Sequence, residues 1–437
     1  MPSTLIALCA ALAGSLSLQA QSPPAGDTTL VITNVSILPM DRERVLTNQT
    51  VVVERGTITR LGPAGSITTP AGVRTIDGTG KYLMPGLVDV HVHLANNPED
   101  EQRILLKLFL ANGVTTVVNL RGIPQILDLR AAVAAGRILG PRIYTAGPFV
   151  NEPFVTTPDE VERAVVAQKR AGYDFIKLHG FLSHDAYHRL NVVARREGIR
   201  VVGHIPRNLG PAAIFEEHQY MLAHGEEFLY DTANRSTDSS LPGVEAQIPE
   251  WARATAQAHI WLTPNLTAFD MIGRQVNDLD DVLARPEMRY LPGTVRQIWG
   301  PATNGYTNRM PKSLYPGIVA RYHLIERLVL AFHRAGVRLL VGTDAMNTGV
   351  VPGFSAHDEL ADLVAAGLTP FEALRAATAN AAEFLAEPGD SGIVAVGQKA
   401  DLLLLDANPL ADIANTRRIA GVMLHGRWLA DPSSLIQ

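Results

Sequence analysis

Cysteine is nearly absent from this chain, charge is sparse, and no apolar run is long enough to span a bilayer. The 437 residues hold one cysteine, Cys9, so beyond the first residues no disulfide framework can form and stability must come from a packed core. Charged residues make up 19% of the chain, with a formal net charge of −5. That balance leaves no basic face for a nucleic-acid backbone, while small neutral or anionic partners remain open. No Gly-rich phosphate loop follows a strand, which argues against a nucleotide-cofactor enzyme. An apolar stretch from Leu5 to Leu18, within "MPSTLIALCAALAGSLSLQAQS", is too short for a transmembrane span. With "LQA" placed before Gln21 it reads as a signal peptide over residues 1–20, although no Lys or Arg precedes it. The expectation is an exported protein, periplasmic or secreted, with no stable membrane span. The early position of Cys9, directly after Leu8, argues against lipidation.

What is present is regular. The length exceeds one ordinary domain but suits an α/β barrel of about 250 residues with an attached module. Short β-type runs fill Thr29 to Thr79, among them "TLVITNVSIL" and "NQTVVVERGTITRLG". Similar text returns in "SGIVAVGQKADLLLLDANPL" and "IAGVMLHGRWLA". Residues 29–80 and 389–432 are therefore expected to form one small composite β-domain around residues 81–388. In that middle region strands alternate with helical stretches, from "PGLVDVHVHL" through "GVTTVVNL", "DFIKLHG" and "VVGHIP" to "VRLLVGTDA". Eight such units predict a (β/α)8 barrel of the TIM type, with its active site at the carboxyl ends of the strands. Two long polar connections, 231–249 and 267–315, read as lids or as contacts in a homo-oligomer.

His91 and His93 sit two apart at the end of the first of these strands, so they face the same way. Taken alone, the pair fits a hydrogen-bonded core as well as a metal site. Lys177, His204, His224 and Asp344 fall at the ends of four further strands, where barrel chemistry is built. Together the six point to a metal, and imidazole with carboxylate suits zinc or a neighbouring transition ion. Six ligand-type residues exceed the three that one catalytic zinc takes, which predicts two divalent ions sharing a hydroxide. An ammonium has no lone pair to offer; carbamylation of Lys177 by carbon dioxide would turn it into a bridging carboxylate. The alternative is an unmodified lysine that neutralises a carboxylate. For Asp344 the alternative is a helix N-cap in "GTDAMN".

With "GLVDVHVHL", "DFIKLHG", "VVGHIP", "LLVGTDA", "HDELADLVAAGLTPFEALRAATANAAEFL" and "GIVAVGQKADLLLLDANPL" in this order, the chain resembles the amidohydrolase superfamily from about Thr29 to Trp428. It is similar to the branch of imidazolonepropionase-like proteins and Xaa-Pro or hydrophobic-residue dipeptidases. The resemblance implies that His91 and His93 hold one ion and His204 and His224 the other, with carboxylated Lys177 bridging them. It implies that Asp344 binds metal and carries the proton. The expected reaction is hydrolysis of the C–N amide bond of a dipeptide or N-acyl amino acid ending in a hydrophobic or proline residue.

Arg207 and Tyr230, in loops leaving metal-bearing strands, are candidates for a substrate carboxylate, or else surface or packing residues. His179, two residues past Lys177, would touch substrate or support the ligands. Asn119 stands where relatives often carry a charge. Competing readings are a mononuclear deaminase or a cyclic-imide or lactone hydrolase with Lys177 unmodified. A metal-free scaffold, of another class, is opposed by the intact set of strand-end polar residues.

Overall fold

The computed structural model describes residues 29–69, 71–94, 98–230, 241–386 and 390–437. The expected signal peptide, residues 1–20, and residues 231–240 of the first long connection lie outside them. Among the described residues no helix is long and apolar enough to cross a membrane.

Five strands open the described chain: β1 (Leu30–Ile37), β2 (Leu46–Glu54), β3 (Thr57–Pro63), β4 (Arg74–Asp77) and β5 (Tyr82–Pro85). Seven follow: β6 (Leu87–Val92), β7 (Val114–Asn119), β8 (Arg142–Thr145), β9 (Phe175–Leu178), β10 (Arg200–Gly203), β11 (Met221–Ala223) and β12 (Trp261–Thr263). Three close the chain: β13 (Leu402–Leu405), β14 (Ile419–Leu424) and β15 (Arg427–Leu429). One eight-stranded sheet joins both ends, in the order β15-β14-β13-β5-β1-β2-β3 with β4 beside β1. The four leucines of β13 show why an uninterrupted apolar run is needed here. Leu402 and Leu404 enter the β-domain core with Ile32 and Val51, while Leu403 and Leu405 pack on the barrel side. A strand buried on both faces loses the polar alternation of an exposed one.

The barrel begins one residue after β5, at β6. Helices α1 (Glu99–Ala111), α2 (Pro124–Ala134), α3 (Pro158–Ala171), α4 (His184–Glu197) and α5 (Pro211–Glu217) alternate with β6 to β11. Next come α6 (Leu241–Glu245) and α7 (Ile248–Gln257), ahead of β12. Local signals set several of these boundaries. Thr157 and Glu160 form a capping box at the start of α3, and Gly172 ends it in the left-handed region. The strands pair in parallel as β6-β7-β8 and β9-β10-β11-β12. Asp174 N donates to Thr145 O at 2.9 Å and so joins the two sets.

The eighth barrel segment, residues 338–345, is less regular than the sequence predicts. It holds its place through isolated bridges, Leu262↔Leu339 and Val92↔Ala345, and through Val90 N donating to Val341 O and Asp344 N to His91 O. The fully buried Asp89 reinforces this seam. Its carboxylate accepts from Thr343 N at 3.0 Å, Thr343 Oγ1 at 2.7 Å and His91 N at 3.2 Å.

Two further features depart from a simple reading of the pattern. The pairing of β6 with β7 slips between Asp89 and Val92. Val88 and Val90 thus fill the inner barrel core with Phe175, Val202 and Trp261, while His91 and His93 still reach the mouth, as a bulge allows. The 267–315 connection is mostly helical: α8 (Leu266–Asn277), α9 (Leu279–Leu283), α10 (Gly293–Trp299) and α11 (Gly305–Arg309) lead into α12 (Tyr315–Arg334). Asp270, Gly273 and Asn277 interrupt the apolar spacing by which α8 buries Leu266, Met271 and Val276. The helices α13 (Phe354–Ala365), α14 (Pro370–Ala376) and α15 (Ala379–Phe384) complete the shell.

In the β-domain, Gly421 of β14 lies under the Trp428 indole, and a Cβ there would meet Cζ2 at 2.2 Å. Gly421→Ala is expected to cost about 1–3 kcal/mol through overpacking. Gly317→Ala, in the first turn of α12 with nothing within 4 Å, should instead be neutral or stabilise by up to about 1 kcal/mol. Denaturant unfolding of the two variants checks the contrast.

Candidate metal centre

A cavity of about 440 Å³ opens at the carboxyl ends of the barrel strands, and His91, His93, Lys177, His204, His224 and Asp344 all line it. Strand periodicity puts them there. Phe175 and Val202 fill the inner core, so Lys177 and His204, two residues further on, share their face and emerge above them. His93, His204 and His224 stand just past β6, β10 and β11. His224 (φ 73°) and Asp344 (φ 60°) adopt left-handed backbone, a strained conformation that recurs at functional sites.

The ligand-type atoms converge. His93 Nε2 lies 2.7 Å from Asp344 Oδ1 and His91 Nε2 lies 3.3 Å from it; His224 Nε2 is 3.9 Å from Asp344 Oδ2. The imidazoles of His91 and His224 are 4.8 Å apart between ring centres, and those of His204 and His224 are 4.7 Å apart. One atom each of His91, His93 and Asp344 falls within 4.8 Å of the others, a set able to hold a metal ion. Among the described residues, His91 Nε2, Asp344 Oδ1 and Lys177 Nζ are buried without a hydrogen-bond partner. Buried polar atoms left unpaired are costly, and a divalent cation at their common focus would satisfy all but the ammonium.

The electrostatics agree with that fit. Burial, more than any neighbour, holds the imidazoles of His91, His204 and His224 well below their ordinary pKa, which keeps them neutral and free to donate a lone pair. Burial also lowers Lys177 to about 8, against the pull of Asp344, Glu227 and Glu226. For Asp344 burial acts upward, but the neighbouring His91 and then His93 outweigh it and hold the carboxyl well below the usual range.

Supporting groups orient the rings. Glu227 Oε1 lies 2.7 Å from His204 Nδ1, and its Oε2 accepts from Ile205 N at 3.1 Å. Asn265 Oδ1 lies 3.3 Å from His91 Nδ1, whereas Glu226 Oε1, 3.8 Å from His224 Nδ1, is beyond hydrogen-bond reach. Partners such as Glu227 and Asn265 fix which ring nitrogen is free for a metal. Sequence reasoning missed Asn265, Glu226 and Glu227. Two carboxylates one glycine past a strand-end histidine, in "HGEEF", were the available signal for the pair; Asn265 carried none.

The remaining candidates divide clearly. His179, Arg207 and Tyr230 all line the cavity. The His179 ring stacks on Phe149 and meets the edge of His204, and burial lowers its pKa to about 4. Burial raises the Tyr230 hydroxyl, with Glu226 and Glu227 adding to the shift. Asn119 is committed elsewhere: its Oδ1 accepts from Leu94 N, and its Nδ2 donates to Arg121 O and Thr145 Oγ1. It ties the first three barrel strands together and does not line the cavity.

Comparison with known proteins follows the same line. The imidazolonepropionase of Deinococcus deserti is 47% identical over 83 residues, 19% of this chain and 20% of that protein. Adenine deaminase 2 of a Bradyrhizobium species is 23% identical over 380 residues, 86% of this chain and 54% of that protein. The chain thus spans about a fifth of the length of the first of these curated relatives and about half of the second. The crystal structure of a Xaa-Pro dipeptidase with bound methionine shares the fold, with a TM-score of 0.72 and 19% identity over 92% of this chain and 100% of that one. The amidohydrolase family matches residues 82–429, and with that span and this strand-end cluster the chain belongs to the amidohydrolase family.

Proposed function

We propose that this protein hydrolyses the C–N amide bond of a dipeptide or N-acyl amino acid with a hydrophobic or proline residue at its C-terminus, using two divalent ions, zinc first among the candidates. The observation that carries this reading is the convergence of unpaired ligand atoms on the floor of a cavity whose walls also hold Arg207 and Tyr230. His91, His93 and Asp344 would hold one ion and His204 and His224 the other, with Lys177 between them as a carbamate. Ions bound there polarise a scissile carbonyl and lower the pKa of water toward about 7.

The chain's own groups do the rest. Asp344, kept ionised, takes a proton from the attacking water and returns it to the leaving nitrogen, without which an amine leaves poorly. Lys177 Nζ, buried and unpartnered among the described residues, adds as a neutral amine to carbon dioxide. An N–C bond forms, one proton is released, and the tip becomes an anion. Arg207 and Tyr230 supply donors for a substrate carboxylate, and Phe269, Ile272, Met310 and Ile318 give the cavity an apolar wall. Export is proposed on residues 1–20 alone. The second reading, a mononuclear deaminase with Lys177 unmodified, draws on the likeness to adenine deaminase 2 over 86% of this chain.

Elemental analysis of the purified protein is expected to find about two divalent ions per chain, and chelation to abolish activity. Full activity with one ion supports the mononuclear reading instead. Lys177→Ala should lose most activity and regain part of it with short carboxylic acids. Lys177→Arg should fail as well, because a guanidinium stays protonated; wild-type turnover in that variant would eliminate the carbamate. Arg207→Ala and Tyr230→Phe should raise KM for substrates with a free carboxylate and spare the corresponding amides, as steady-state kinetics on paired substrates will show.

A further inference from the structure

We propose that Asn265 is a positioning residue that fixes the ring of His91 and ties the His91–Asp344 half of the cluster to the His224 half; this rests on the metal-dependent reading above. Asn265 is fully buried at the carboxyl end of β12, a strand that brings no ligand-type residue to the floor. Its single amide reaches three other strand ends. Nδ2 donates to Gly342 O at 2.8 Å, beside Asp344, and Oδ1 accepts from His224 N at 3.2 Å while facing His91 Nδ1 at 3.3 Å.

This network leaves the amide one orientation. A carbonyl such as that of Gly342 can only accept, and the backbone N–H of His224 can only donate, so nitrogen and oxygen cannot exchange places. An amide oxygen facing His91 Nδ1 requires that nitrogen to carry the hydrogen. The lone pair then sits on Nε2, the atom that points at Asp344 and has no hydrogen bond.

The way α8 starts shows that this side chain has been diverted from its usual task. Asn265 occupies the N-cap position of α8, where an asparagine ordinarily accepts from the first free amides of the helix. Here it makes no capping bond, and its backbone is left-handed with φ 55°. The amides of Leu266 and Thr267 are satisfied from outside by Glu359 of α13, at 3.1 and 2.8 Å. Helix capping and ring orientation are thus divided between two residues, and they can be tested separately.

Three variants of the full chain, stripped of metal and titrated with zinc against a chromophoric chelator, make the test. Asn265→Gly keeps the left-handed backbone and removes the amide, Asn265→Asp keeps an acceptor toward His91, and Glu359→Gln weakens only the cap. Loss of a supporting partner costs roughly 10–100-fold in metal affinity, so Asn265→Gly should bind zinc at least about tenfold more weakly. In the same assay Asn265→Asp and Glu359→Gln should stay within about threefold of wild type, well short of that loss. Wild-type affinity in Asn265→Gly, or an equal loss in all three variants, would overturn the proposal, since the second result marks general loosening. Zinc uptake by none of the chains, wild type included, would overturn the metal-dependent reading and this proposal with it.

Discussion

A barrel closes only where its first and last strands meet, and in this protein they meet with the help of a buried carboxylate. Asp89 takes three hydrogen bonds from His91 and Thr343 where the eighth segment has no continuous ladder. Burial still drives its carboxyl up to about 7 in spite of those donors, a measure of how dry the seam is. The candidate site depends on this closure. His91 stands two residues after Asp89, and Asp344 one residue after Thr343, so the same bonds bring the first and last ligand-type residues to 3.3 Å.

Bringing four imidazoles, a lysine and a carboxylate to one water-poor mouth is costly unless each has a defined partner. The outer groups meet this requirement in different ways. Glu227 supports His204 with a carboxylate, Asn265 supports His91 with a neutral amide, and Asn119 braces the loop after His93 through Leu94 N. Among the described residues, the unpaired atoms that face the common centre include His91 Nε2, Asp344 Oδ1 and Lys177 Nζ. Unpaired ligand atoms gathered at one focus are what a preorganised cation site looks like before the cation is considered.

The second module is coupled to the same strand. β5 belongs to the eight-stranded sheet, and after Gly86 the chain enters β6 directly. A Cβ at Gly86 would meet Thr115 Oγ1 at 2.3 Å, so the chain crosses from sheet to barrel at a point where only hydrogen fits. The composite β-domain therefore anchors the strand that carries His91 and His93.

Much of this was already legible in the residues. Alternating β- and helix-type text fixed the barrel class, and β-rich segments at both ends fixed the composite sheet, because hydrophobic periodicity and turn chemistry act over a few neighbouring residues. Strand-end position singled out His91, His93, Lys177, His204, His224 and Asp344 as candidates, and closeness to those strands added His179, Arg207 and Tyr230; the structure brings all nine to the lining of one cavity. Local pattern could not show that β6 slips by a residue after Asp89, that Asn119 is committed to backbone and Thr145, or that 267–315 folds into helices whose α8 walls the cavity. Nor could it show that an asparagine at a helix start would turn from its cap to a histidine 174 positions earlier. Each of these depends on which groups become neighbours when the barrel closes, and a hydrogen bond reads distance in space, not separation along the chain.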